Sequence, residues 1–165
     1  MKNTAPSLMR RIAGMLYDFC VAIILALVIS YIGIALLNTP VEAGSITAYF
    51  FFFTQLLTGL SYFIYYCVHK DNTAGMWVWK LRMLDSKSGN KPSPIQITIR
   101  YFSLLIIIAS GLIIGSKALS LGVFGSFLMG LSTLGLSFLW MFKDSQQRLL
   151  HEALSNTHLI DISQK

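Results

Sequence analysis

Charge is what this chain has least of. Only 12% of its 165 residues are charged against 55% hydrophobic, and at a mean hydropathy of +0.63 there is too little charge to clothe a soluble globule. Cysteine is scarcer still by count, at two residues. Cys20 and Cys67 both fall inside apolar runs, where each is expected to be a small buried hydrophobe, and this excludes a disulfide framework. His69, His151 and His158 complete no zinc spacing with them, so neither a metal nor a cofactor is expected. No aromatic-basic pattern of the kind that reads RNA or DNA is present either, and a nucleic-acid partner is not expected despite the net charge of +6.

What the chain does have is four long apolar runs, over residues 12–37, 47–68, 97–116 and 119–142. Each reaches the roughly 20 residues a helix needs to cross a bilayer, the third least comfortably because Arg100 interrupts its start. The first run is too long for the apolar region of a secretory leader and carries Asp18. Lys2, Arg10 and Arg11 before it, and the loosely cleavage-like Val41-Glu42-Ala43 after it, therefore do not make it one. The composition predicts an all-α membrane protein with four transmembrane helices.

The cations orient it. Lys117 alone falls in the connection between the third and fourth runs. The other Lys and Arg residues precede the first run, lie between the second run and the start of the third, or follow the fourth. By the positive-inside rule both termini and the central loop are expected to be cytoplasmic, facing anionic headgroups of the inner membrane. The outer connections, Asn38 to Ile46 with Pro40 and Gly44, and the turn at Ser116-Lys117-Ala118, leave little room for an external domain. Soluble structure is therefore confined to residues 69–96 and 143–165 of a single membrane domain.

In the central loop Trp77, Trp79, Leu81 and Met83 alternate with Val78, Lys80 and Arg82, ending at Asp85 and a Ser-Lys-Ser-Gly-Asn turn. Period two with two tryptophans predicts a short strand at headgroup level, with a helix over Thr73 to Trp79 as a possible prelude. The tail carries helical spacing from Gln147 to Leu154 and then β-branched and apolar residues from Thr157 to Ile162. This last segment is expected to pair with Lys80 to Asp85 as a two-stranded ribbon, marginal alone and supported by the membrane surface. Gly122, Ser126 and Gly130 of the fourth run, and Gly111 and Gly115 of the third, stand four apart and suit close helix packing, within the chain in preference to a dimer seam.

Three stretches resemble the RDD family of small bacterial membrane proteins, named for one arginine and two aspartates. Arg10-Arg11-Ile12-Ala13-Gly14-Met15-Leu16-Tyr17-Asp18 is similar to the family's opening, with an arginine starting the first helix and an aspartate seven residues on. Asn72-Thr73-Ala74-Gly75 followed by Leu81-Arg82-Met83-Leu84-Asp85 resembles the segment after the second helix. Leu150-His151-Glu152 with Thr157 is similar to the closing Leu-His-Asp and its following threonine. Ala74 stands where proline is usual, Met76 where lysine is usual, and Glu152 where the family has aspartate. The resemblance implies a multi-span membrane protein and assigns it no reaction.

Arg11 and Asp18 lie on nearly one helical face with the carboxylate about 10 Å deeper. They are expected to form an intramembrane charge pair, since an acid so placed needs a partner or a task. Tyr62, Tyr65, Tyr66 and His69 follow the spacing of one face on the returning helix, which puts Tyr62 and Tyr65 level with Asp18, and Arg100 enters with the third run as a second candidate partner. Asp18 then reads as a hydrogen-bonded pin between helices, as a carboxylate that takes up a proton or cation, or as part of a face for another membrane protein. Gly75 is expected to permit a tight turn. His151 and Glu152 are expected on a solvated helix face with a capping role, since no nucleophile or metal partner accompanies them. The function expected is that of a non-enzymatic accessory or assembly protein bound to the bilayer, to another membrane protein or to its own copies. The alternative is a small-ion or small-solute transporter using Asp18.

Overall fold

The computed structural model describes residues 5–37, 41–42 and 44–163. Asn38, Pro40 and Ala43 of the expected outer connection, and the terminal Lys2 and Lys165, lie outside the described residues. Four helices are long and apolar enough to cross a membrane: α1 (Leu8–Leu37), α2 (Ile46–His69), α4 (Pro94–Ile113) and α5 (Val123–Lys143). Short α3 (Ala74–Val78) and strand β1 (Leu81–Asp85) follow α2, and short α6 (Leu150–Leu154) and strand β2 (Thr157–Asp161) follow α5. The chain thus runs twice through one order: two long helices, a five-residue helix, a five-residue strand.

The backbone repeats with it. Asp71 (φ 68°) and Lys80 (φ 52°) bracket α3 in left-handed conformations, and Gln147 (φ 53°) and Asn156 (φ 52°) bracket α6 at the same spacing. The residues before the two short helices, Thr73 and Leu149, are both extended. By contacts the chain forms two compact units, Pro6–Arg82 with Ile162 and Ser163, and Met83–Asp161.

The long helices are apolar all round, and their side chains stay largely uncovered: on α1 only Arg11, Gly14 and Asp18 are buried. Leu16, Leu27 and Tyr31 are well exposed on the same helix. A surface of this kind is stable where lipid covers it. The ends are set by local chemistry. Ser45 starts α2 by accepting from the Ala48 amide. Ser93 and Gln96 cap each other at the start of α4, with Pro94 as its first residue.

Several boundaries differ from the sequence reading. α1 begins at Leu8, so Arg10 and Arg11 lie within its first turn and not at its threshold. The third helix does not stop for a turn at Ser116-Lys117-Ala118. It widens into a π turn over Ile114–Ala118, and the connection falls later, with Gly122 as N-cap of α5. The strand is shorter than the alternation from Trp77 suggested: the helix held open over Thr73 to Trp79 is present as α3, capped by Thr73, and β1 starts only after the left-handed Lys80. α6 begins at Leu150 and not at Gln147, because Asp144 gathers the Gln146 and Arg148 amides into a turn. Cys67 is buried as expected, but Cys20 is exposed on α1, facing away from the Arg11, Gly14 and Asp18 stripe.

β1 and β2 form a two-stranded antiparallel sheet. Its register is marked by Ser86 N donating to Asn156 O and Ile162 N donating to Lys80 O, both at 2.9 Å. Leu81 and Met83 on β1, and Thr157 and Leu159 on β2, are buried at alternate positions as one covered face requires, and Ile160 on the opposite face of β2 is buried as well. The ribbon is therefore present, and it does not stand alone. Within the first unit Leu81 packs beside Gly14, where an added Cβ would lie 3.3 Å from its Cδ1.

Candidate functional site

Arg11, Gly14 and Asp18 recur at three and four residues and so share one face of α1. That face meets α3, and contact is close because both sides lack side chains: a Cβ on Gly75 would strike the Gly14 carbonyl oxygen and lie 2.9 Å from Asp18 Cγ. Gly75 is helical, so it does not serve a tight turn as expected. What it supplies is clearance.

Into that gap Asp18 inserts its carboxylate, 5% exposed. Oδ1 accepts from the Tyr62 hydroxyl and from the Gly75 amide, each at 2.8 Å, and Oδ2 accepts from the Thr73 hydroxyl at 2.6 Å. The Tyr62 oxygen in turn accepts from the Ala74 amide at 3.1 Å, and Thr73 Oγ1 from the Met76 amide at 3.2 Å. The first three amides of α3 therefore each end on a side-chain oxygen from this cluster. Donors at a helix start have no partner within the helix, and here an acid in α1, a phenol in α2 and the N-cap threonine satisfy them together. A carboxylate fits because the helix start is electropositive. Arg11, 2% exposed, donates from Nε to the Pro6 carbonyl at 3.2 Å.

The two tyrosines level with Asp18 separate. Tyr62 reaches the carboxylate, whereas Tyr65 is 52% exposed with its ring against Tyr66 and His69. Arg100 serves a different acid. In the second unit its guanidinium donates to Glu152 Oε1 at 3.0 Å and to Thr157 Oγ1 at 2.9 Å. Glu152 Oε2 accepts from the Leu149 amide at 3.1 Å, so the expected capping role is present. The expected solvation is not: Glu152 is 0% and His151 1% exposed, because α6 packs its acid inward against Arg100. Ser155 completes the cluster, with Oγ 2.8 Å from Thr157 Oγ1 and donating toward the His151 carbonyl.

Asp85 works in the loop. It accepts from the Ser88 hydroxyl at 2.6 Å and from the Gln96 side chain at 2.9 Å, which ties the turn after β1 to the start of α4. The Ser88 hydrogen bond, then that from Gln96, hold its carboxyl well below the usual carboxylate range. Of the small residues, Gly111 sits against the Met129 carbonyl, Thr133 and Gly130, and Gly115 against Ser126. Gly130 lies against Leu112. Gly122 meets nothing within 4 Å, because it caps α5 and does not face α4.

The sequence reading missed Thr73 and Ser155. Thr73 stands directly before a short helix in an N-cap position, and that was the available signal. Among the described residues no three His, Cys, Asp or Glu side chains group as metal ligands would.

Four helices long and apolar enough to cross a membrane, with buried carboxylates at the starts of two short helices, mark a multi-pass membrane protein. The family model of the RDD family matches residues 5–156, nearly the whole chain, and the chain belongs to that family. No curated protein and no solved structure matches it.

Proposed function

We propose that this RDD protein is a non-enzymatic accessory or assembly protein of the bacterial cytoplasmic membrane, with both termini in the cytoplasm. The orientation is supported by the distribution of Lys and Arg, which leaves Lys117 alone on the outer side. The observation that carries the reading is the state of Asp18. Its two oxygens accept hydrogen bonds from Tyr62, Thr73 and Gly75 at the start of α3, so the acid acts as a pin that presents α3 in one position. The surface so presented includes Trp77, 74% exposed, which suits contact at the membrane interface.

Crosslinking in cells followed by purification in mild detergent tests this. Recovery of a second membrane protein with the wild type, and its loss in Asp18→Asn, is the expected result. A clean monomer or homo-oligomer with no captured partner counts against it. Proteoliposome flux gives the opposite test: proton or Na⁺ movement that Asp18→Asn abolishes without unfolding replaces this reading with transport.

A further inference from the structure

In the second unit an open groove of about 540 Å³ runs between α4 and α5. It exists because Ser110 on α4 and Thr133 and Ser137 on α5 are small, and it ends at Trp140 and Lys143. The three hydroxyls are already committed to main-chain carbonyls: Ser110 to Ile107 at 2.7 Å, Thr133 to Ile107 at 2.9 Å and Ser137 to Leu134 at 2.6 Å. To an incoming molecule the wall is therefore apolar, unsuited to a polar solute and suited to hydrocarbon.

From Thr133 to Lys143 the groove rises about 15 Å at 1.5 Å per residue, half of a roughly 30 Å hydrocarbon core. This is the depth of one leaflet. At its mouth Lys143, the last residue of α5, is exposed with its ammonium 5.6 Å from the Trp140 ring centroid. The neighbouring Arg148 is clasped by Asp144 at 2.8 and 3.0 Å. A chain-length apolar slot with a cation at headgroup level matches one class of molecule.

We propose that this groove binds an acyl chain of an anionic phospholipid whose phosphate is met by Lys143. The site lies apart from Asp18 and does not rest on the accessory reading. The test uses the full chain in mild detergent with equal phosphatidylglycerol and phosphatidylcholine, reading retained lipid by native mass spectrometry. The expected preference for phosphatidylglycerol is on the order of five-fold, the contribution of one lysine near an anionic surface. Lys143→Gln should bring the ratio close to one. Ser110→Leu, at an exposed position that fills the groove, should lower retention of both lipids. Equal retention by the wild type, a preference that survives Lys143→Gln, or undiminished retention in Ser110→Leu overturns the proposal. So does efficient crosslinking of Ser110→Cys to a second copy in native membranes, since protein would then cover the groove.

Discussion

The chain passes twice through the same order of elements and puts a carboxylate at the start of each short helix, but it answers the two carboxylates with different chemistry. Asp18 comes from a long helix and receives a phenol, a threonine hydroxyl and a glycine amide. Glu152 comes from the short helix itself and receives a guanidinium and the Leu149 amide. In the first unit the acid reaches across to cap a foreign helix. In the second it caps its own and turns the other oxygen to Arg100. Both oxygens of Glu152 are engaged, Oε2 by the Leu149 amide and Oε1 by Arg100. A capping geometry can thus be kept while the source of the acid and the nature of its donors change.

The contrast predicts unequal sensitivity, measurable by thermal or SDS-induced unfolding in detergent. Arg100→Met removes the guanidinium facing a fully buried glutamate and should cost the most, about 3–5 kcal/mol. If Arg100→Met and Glu152→Gln are combined, part of that loss should return. Asp18→Asn comes next. It replaces an acceptor with an NH₂ that faces hydroxyl or amide donors, and a loss of about 2–3 kcal/mol is expected. A larger loss from Asp18→Asn than from Arg100→Met would reverse the ranking and show that the first unit depends more on charge.

Gly75→Ala should cost about 1–3 kcal/mol by forcing α3 away from Gly14. The added methyl strikes main chain and a buried carboxyl, neither of which can swing aside. Thr73→Val should cost about 1 kcal/mol, the usual loss for an N-cap side chain. Hydrogen exchange at the Met76 amide would localise it.

Acid should produce the smallest effect. Asp144 is lowered from 3.8 to about 2, first by its hydrogen bond from Arg148. A carboxyl depressed in the folded state contributes stability that is complete above its ordinary value and disappears as pH falls through about 2. The Asp144-to-Arg148 turn should therefore loosen between about pH 4 and 2, and Asp144→Asn should remove that dependence. An unchanged acid profile in Asp144→Asn would assign the transition to Asp85 instead.

The parts legible in the sequence were those that needed no partner. An apolar run of spanning length declares itself wherever it packs, and the β-branched tail announced β2 within a residue of its end. Tyr62 was readable as a partner of Asp18 because helical rise alone sets its depth. The repeat was not read, although Asp85 and Asp161 close two strands at the same spacing that separates Lys80 from Asn156. Its evidence is in backbone dihedrals, and the side chains at matched positions, such as Thr73 with Leu149 or Gly75 with His151, share no chemistry.

By itself the sequence determined four runs long and apolar enough to cross a membrane, an acid in the first of them and a two-stranded ribbon outside them, and its motifs carried the resemblance to the RDD family. Local hydrophobicity and periodicity suffice for the runs and the ribbon, because they act along the chain. Only the tertiary structure decided that Arg100 meets Glu152, that Glu152 and His151 are buried, and that Gly75 clears a path for Asp18. A charged group in a scarcely charged chain must find donors, and which ones it finds depends on residues brought together across more than fifty positions of sequence.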